Sequence, residues 1–125
     1  MLDWYSLQGQ LPLLDDDHLS RMEQDLSAPV VARLLGLFLE DGRTQGEALR
    51  QAFIAQDVQK MARWCHSLTS ACGSYGALRC QYLSEKLEQS CQQGDADLVA
   101  AQYTAWQAAL DATLQILAAQ LNETR

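Results

Sequence analysis

Trp64-Cys65-His66-Ser67-Leu68-Thr69-Ser70-Ala71-Cys72-Gly73-Ser74-Tyr75-Gly76-Ala77 is the stretch around which this chain of 125 residues is organised. Its spacing is helical up to Ser74, and Val58, Met61, Cys65, Leu68 and Cys72 form an apolar stripe in steps of three and four. At about 100° per residue, Gln59, Ala62, Thr69, Ser70 and Gly73 fall within roughly 60° of His66, on a face separate from that stripe. His66 therefore stands beside the core and does not point into it. Glycine inside a helix costs about 1 kcal/mol relative to alanine. A helix shaped by stability alone would not gather Thr, Ser and Gly on one face. Low side chains around a single imidazole predict a landing surface for another protein.

The rest of the chain reads outward from this segment. Gly76 suits the left-handed conformation of a helix end, and a further helix follows from about Ala77 to Gln92 with Cys80, Leu83 and Leu87 inward. The tight turn makes these two helices antiparallel neighbours, and counting from it places His66 level with Ser84 to Glu88. One of the polar residues in that span can hydrogen-bond a ring nitrogen and orient the imidazole. Gly94-Asp95 closes the next hairpin, and Asp95 or Asp97 caps a last helix to about Leu121. Its seam is Val99, Tyr103, Trp106, Leu110, Leu117 and Leu121.

Upstream, Asp57 caps the His66 helix. Ser27 and Pro29 open a long helix to about Gln56, with a bend expected near Gly42. Leu34, Leu35, Leu37, Phe38 and Leu39 make a broad arc expected to fill the core. A first helix from about Asp16 to Leu26 follows the acidic run Asp15-Asp16-Asp17. His18 in its first turn is expected to be an exposed histidine, since no second set of metal ligands accompanies it. No strand-like alternation occurs. The pattern predicts an all-α protein: an antiparallel four-helix bundle over residues 15–125, with residues 1–14 as an N-terminal arm or short helix.

Composition removes several functions. The formal net charge is −7 and no basic run is present, which argues against a nucleic-acid partner. Cys65, Cys72, Cys80 and Cys91 form no CxxC pair and read as buried small hydrophobes in a reducing compartment. The strongly apolar run Pro29–Leu39 is interrupted by Arg33 and too short for a bilayer, and the start lacks a signal-peptide layout. A cytoplasmic protein without membrane insertion is expected. No glycine-rich phosphate loop occurs, so no ATP site is expected, and no Glu-x-x-His set supports a metal-binding bundle enzyme.

The run His66-Ser67-Leu68-Thr69-Ser70, then Gly73, Gly76-Ala77 and Leu78, with Leu87-Glu88 further on, resembles the signature of histidine-containing phosphotransfer (HPt) domains. Family members usually read H-x-L-K-G at its start. Here Thr69 replaces the lysine and Ser70 the glycine, so the usual cation beside the phosphoryl group is missing. The resemblance implies a phosphocarrier of a two-component phosphorelay, with His66 as phosphoacceptor and the aspartates of receiver domains as donor and acceptor. It implies no cofactor of the chain's own, with Mg²⁺ held by the partner. Arg63, one turn before His66, is the candidate substitute cation; Thr69 offers one uncharged hydrogen bond, and Ser70 and Glu88 support the ring. Gln59, Ala62 and Gly73 belong to the docking surface. The chain is expected to be a monomer, standing alone or as the end of a hybrid sensor histidine kinase. The competing reading is a phosphorylation-independent adaptor with the same docking face, in which His66 is vestigial.

Overall fold

The computed structural model describes residues 3–123, without the side chain of Glu123; residues 1–2 of the expected arm and 124–125 of the expected bundle lie outside the described residues. The helices are α1 (Trp4–Gln10), α2 (Asp16–Asp25), α3 (Ala28–Ile54), α4 (Val58–Ser74), α5 (Leu78–Gln93) and α6 (Ala96–Glu123), with no strand among the described residues. Most begin by the same local rule. Asp3, Asp15, Ser27, Asp57 and Asp95 each accept an amide proton from the residue three further on, closing free donors of the first turn. Asp95, rather than Asp97, is thus the cap of α6. Helix α5 follows Ala77 and has no side-chain cap. Its Arg79 amide instead donates to the Pro12 carbonyl in the N-terminal arm at 3.2 Å.

Helices α3 to α6 close a ring in which α3 packs on α4, α4 on α5, α5 on α6 and α6 on α3. Every neighbouring pair is antiparallel. Phe38 stacks on Tyr75 at 4.7 Å while Gln45 meets Ser67, and Phe53 stacks on Tyr103 at 3.9 Å while Gly42 meets Leu114. The interior is filled by Leu49, Met61, Leu68, Leu83, Leu87, Trp106 and Leu117, all essentially inaccessible. Each such leucine contributes about 1.5–3 kcal/mol by leaving water. The four cysteines are free and buried among them, and burial raises the Cys91 thiol to about 11. They pack as small hydrophobes.

Helix α3 is continuous through Gly42, and two of its glycines serve close approach. A Cβ at Gly42 would lie 3.0 Å from Leu114 Cδ2, and one at Gly46 2.7 Å from Leu110 Cδ2, so the missing side chains let α6 sit close. The broad leucine arc is also wider than the core. Leu35 and Phe38 are buried, whereas Leu37 is 49% exposed.

Helix length explains the outer elements. With 27 and 28 residues, α3 and α6 span about 40 Å, whereas α4 and α5 reach only about 25 Å. The long pair therefore overhangs the α4–α5 turn, and α2 packs on α3 there. The start of α2 is seated on the turn itself: the Asp15 amide donates to the Gly76 carbonyl at 2.8 Å, and His18 Nε2 donates to the Ser74 carbonyl at 2.9 Å. His18, expected to be exposed, is half-buried against Gly76. On the other side α1 lies on α5, and the Arg79 guanidinium grips the Leu11 carbonyl at 2.7 and 2.9 Å.

Gly76 is where the left-handed backbone is required, with φ +71° and the His18 ring 3.1 Å from where a Cβ would stand. Gly76→Ala is expected to destabilise the fold by about 1–2 kcal/mol, the cost of that conformation for an L side chain. A urea titration should show a lower midpoint with an unchanged slope.

Candidate functional site

Position on α4 divides the residues of the central segment by chemistry. Met61, Cys65, Leu68 and Cys72 point inward and are at most 1% exposed. His66 points the other way, and its side chain is 80% exposed. The arm and α2 lie at the α4–α5 turn and against α5, and leave the ring open. The antiparallel register set by the turn brings Glu88 of α5 alongside, with its Oε2 3.2 Å from His66 Nδ1. A carboxylate only accepts, so the neutral ring carries its proton on Nδ1 and presents the Nε2 lone pair to solvent. The Glu88 side chain is 19% exposed, and His66 is its one hydrogen-bond partner among the described residues.

The other candidates are distributed around this pair. Gln59, Ala62 and Arg63 line an open groove of about 610 Å³ between α4 and α5. Arg63 also borders a second groove, of about 690 Å³, between α3 and α4. Its floor includes Ala48, Ala52 and Ala55, and it reaches Ser67 beside the ring. Arg63 is exposed and has no hydrogen-bond or ion-pair partner among the described residues. Ser70 is exposed one turn beyond His66. Thr69 is committed to its own helix, donating its hydroxyl proton to the Cys65 carbonyl at 2.8 Å.

Gly73 differs from the bare position expected of it. The Gln81 amide of α5 lies across it, with Nε2 2.8 Å from where a Cβ would be. The glycine makes room for a neighbouring helix's side chain two turns from the imidazole. Sequence reasoning missed Gln81, and it also missed Gln45 of α3, which accepts from Ser67 Oγ at 2.9 Å. Polar residues at a helix seam carry no periodic signal of their own; the register alone reveals them. Among the described residues no cluster of His, Cys, Asp and Glu can hold a metal ion, and no helix is long and apolar enough to cross a membrane.

An antiparallel helical bundle bearing one open, carboxylate-oriented histidine defines a class of protein that can carry a group on that ring. The Hpt domain family model matches residues 33–116, and the chain belongs to this family. It is a histidine phosphotransfer protein of the phosphorelay type, a phosphocarrier rather than an enzyme. Solved structures share the fold. The chain is similar to histidine-containing phosphotransfer protein B (HptB) from Pseudomonas aeruginosa PAO1, with a TM-score of 0.83 and 21% identity over 91% of this chain and 98% of that one. It is also similar to a rice protein assigned as a histidine-containing phosphotransfer protein, with a TM-score of 0.73 and 16% identity over 97% and 89% of the two chains. No curated protein matches the chain.

The contact between His66 and Glu88 has a direct readout. Nitrogen-15 NMR of the imidazole should find the Nδ1-protonated tautomer dominant in the native protein, and Glu88→Ala should relax that preference. Stability should change by less than about 1 kcal/mol, because the pair is solvent-screened.

Proposed function

We propose that His66 carries the phosphoryl group and that receiver-domain aspartates are its donor and acceptor. The observation that carries this reading is the open imidazole, with its Nδ1 engaged by Glu88 at 3.2 Å and its Nε2 free. In the forward step the Nε2 lone pair attacks the phosphorus of the partner's acyl phosphate. The P–Nε2 bond forms, the P–O bond to the aspartate breaks, and the carboxylate departs with the electron pair. The Nδ1 proton stays on the ring, and Glu88 balances the positive charge that develops there. The return step reverses this.

Phosphoryl transfer depends on positioning and charge stabilisation more than on covalent assistance. The partner supplies Mg²⁺ and most of the electrostatics, and this chain supplies the nucleophile and the docking face without an ATP site. The low side chains of Ser67 and Ser70 and the grooves beside α4 allow the ring to enter a recessed acidic pocket. With no lysine at position 69, Arg63, exposed one turn before His66 and without a hydrogen-bond or ion-pair partner among the described residues, is the candidate cation for the phosphoryl oxygens, while Arg79 is held by the arm and Lys86 lies 5.6 Å over the Tyr82 ring. The parts that face a partner are the same whether the chain acts alone, as a monomer, or as part of a hybrid sensor kinase in the cytoplasm.

Incubation with a phosphorylated receiver domain should place an acid-labile, alkali-stable label on the protein, and His66→Gln should remove it. A wild-type protein that binds the receiver but takes no label would leave the adaptor reading instead. Arg63→Ala should slow transfer or shorten the phosphohistidine lifetime by about three- to tenfold, the loss of one charge-assisted contact. Unchanged rate and lifetime would remove Arg63 from the site.

A further inference from the structure

The carboxylate that orients His66 has no other hydrogen bond among the described residues to hold it, so its position is set by where α5 sits. All four buried polar residues among those described, Ser84, Ser90, Gln102 and Thr113, lie on the seam between α5 and α6. There Cys80 meets Thr113, Ser90 donates to Gln102, and the Trp106 indole N–H donates to Ser84 Oγ at 3.0 Å. The inward stripe of α4, by contrast, is entirely apolar or thiol. Apolar contacts tolerate sliding, whereas a buried N–H without its acceptor is costly, so polar pairs fix register where greasy ones do not.

Trp106 is placed to act as the gauge. It is the largest fully buried side chain, and it spans the bundle from α6. The far edge of its ring reaches the space beside Gly46 of α3, 3.8 Å from where a Cβ would stand, while its N–H holds Ser84 of α5. Ser84 precedes Glu88 by one helical turn on nearly the same face. A displacement of α5 at Ser84 is therefore passed directly to the carboxylate beside the imidazole.

We infer that Ser84 and Trp106 are positioning residues for phosphotransfer, holding α5 at the height that the Gly76 turn gives it so that Glu88 meets His66 Nδ1. This rests on His66 as the carrier, but its primary readout is taken on the unphosphorylated protein and is independent of that reading. The experiment compares the wild type with Ser84→Ala, Trp106→Phe, the double variant, Ser84→Thr and Glu88→Ala. The readouts are the nitrogen-15 tautomer signature of His66, the unfolding midpoint, and the rate at which His66 is labelled by phosphoramidate, a small donor that needs no docking.

Each single removal should relax the tautomer signature toward that of Glu88→Ala and slow labelling by about three- to tenfold, the scale of a small misplacement. Ser84→Thr keeps the hydroxyl and should retain the wild-type signature. The double variant decides the matter, because it leaves no polar partner unpaired. Its unfolding midpoint should lie above that given by the sum of the two single losses, still lowered by the cavity that Phe leaves in place of Trp, while the His66 signature stays relaxed. A wild-type signature in the folded double variant would overturn the inference and leave the pair with a purely structural role. If a single variant fails to fold, the double variant still gives the answer. A wild-type protein that takes no phosphoramidate label would count against His66 as carrier and leave the tautomer comparison standing.

Discussion

The left-handed turn at Gly76 sets the heights of the elements that matter for function. It joins α4 to α5 with almost no intervening chain, so the two helices must run antiparallel in one register. That register carries Glu88 to His66 and Gln81 to Gly73. The same turn is the seat for α2 through Asp15 and His18, and Tyr75 beside it stacks on Phe38 of the long helix α3. A bulkier residue at this point would disturb the bundle's outer packing and the site together, because both hang from one backbone conformation.

The division of labour within α4 follows from side-chain size and direction. Its inner stripe gives the bundle its adhesion, and its outer face gives up side-chain volume to leave an imidazole standing clear. The surrounding charge fits that arrangement. The chain is strongly acidic overall, yet Arg63, one helical turn before His66, has no hydrogen-bond or ion-pair partner among the described residues. Under the proposed transfer, the Glu88 carboxylate balances the ring and the Arg63 guanidinium the phosphoryl oxygens. The bundle meanwhile invests its few buried polar groups, among the described residues, on the α5–α6 seam, which adjoins the working face through α5.

Much of this was legible in the order of residues. Apolar steps of three and four, together with Asp15, Ser27, Asp57 and Asp95 as caps, mark where helices begin and which stripe turns inward, since both depend on contacts within a turn or two of chain. Counting from Gly76 placed the span Ser84 to Glu88 level with His66, and the family resemblance singled out Glu88 within it. What local pattern cannot give is the occupant of a space between helices. Gly42 and Gly46 look like weak points in a single helix and prove to be the places where Leu114 and Leu110 nest. His18 looks like a free surface histidine until the overhang of α3 brings α2 onto the α4–α5 turn.

By itself the sequence determined the bundle helices, the inward stripe and which histidine stands clear of the core, because periodicity and capping are local and a solitary histidine among small residues is conspicuous. Only the tertiary structure decided that Gln81 covers Gly73, that Leu37 faces water, and that Trp106 ties Ser84 to the centre of the bundle. Those facts depend on the separation and rotation of whole helices, which are fixed by packing across the core and leave no mark on the spacing within any one helix.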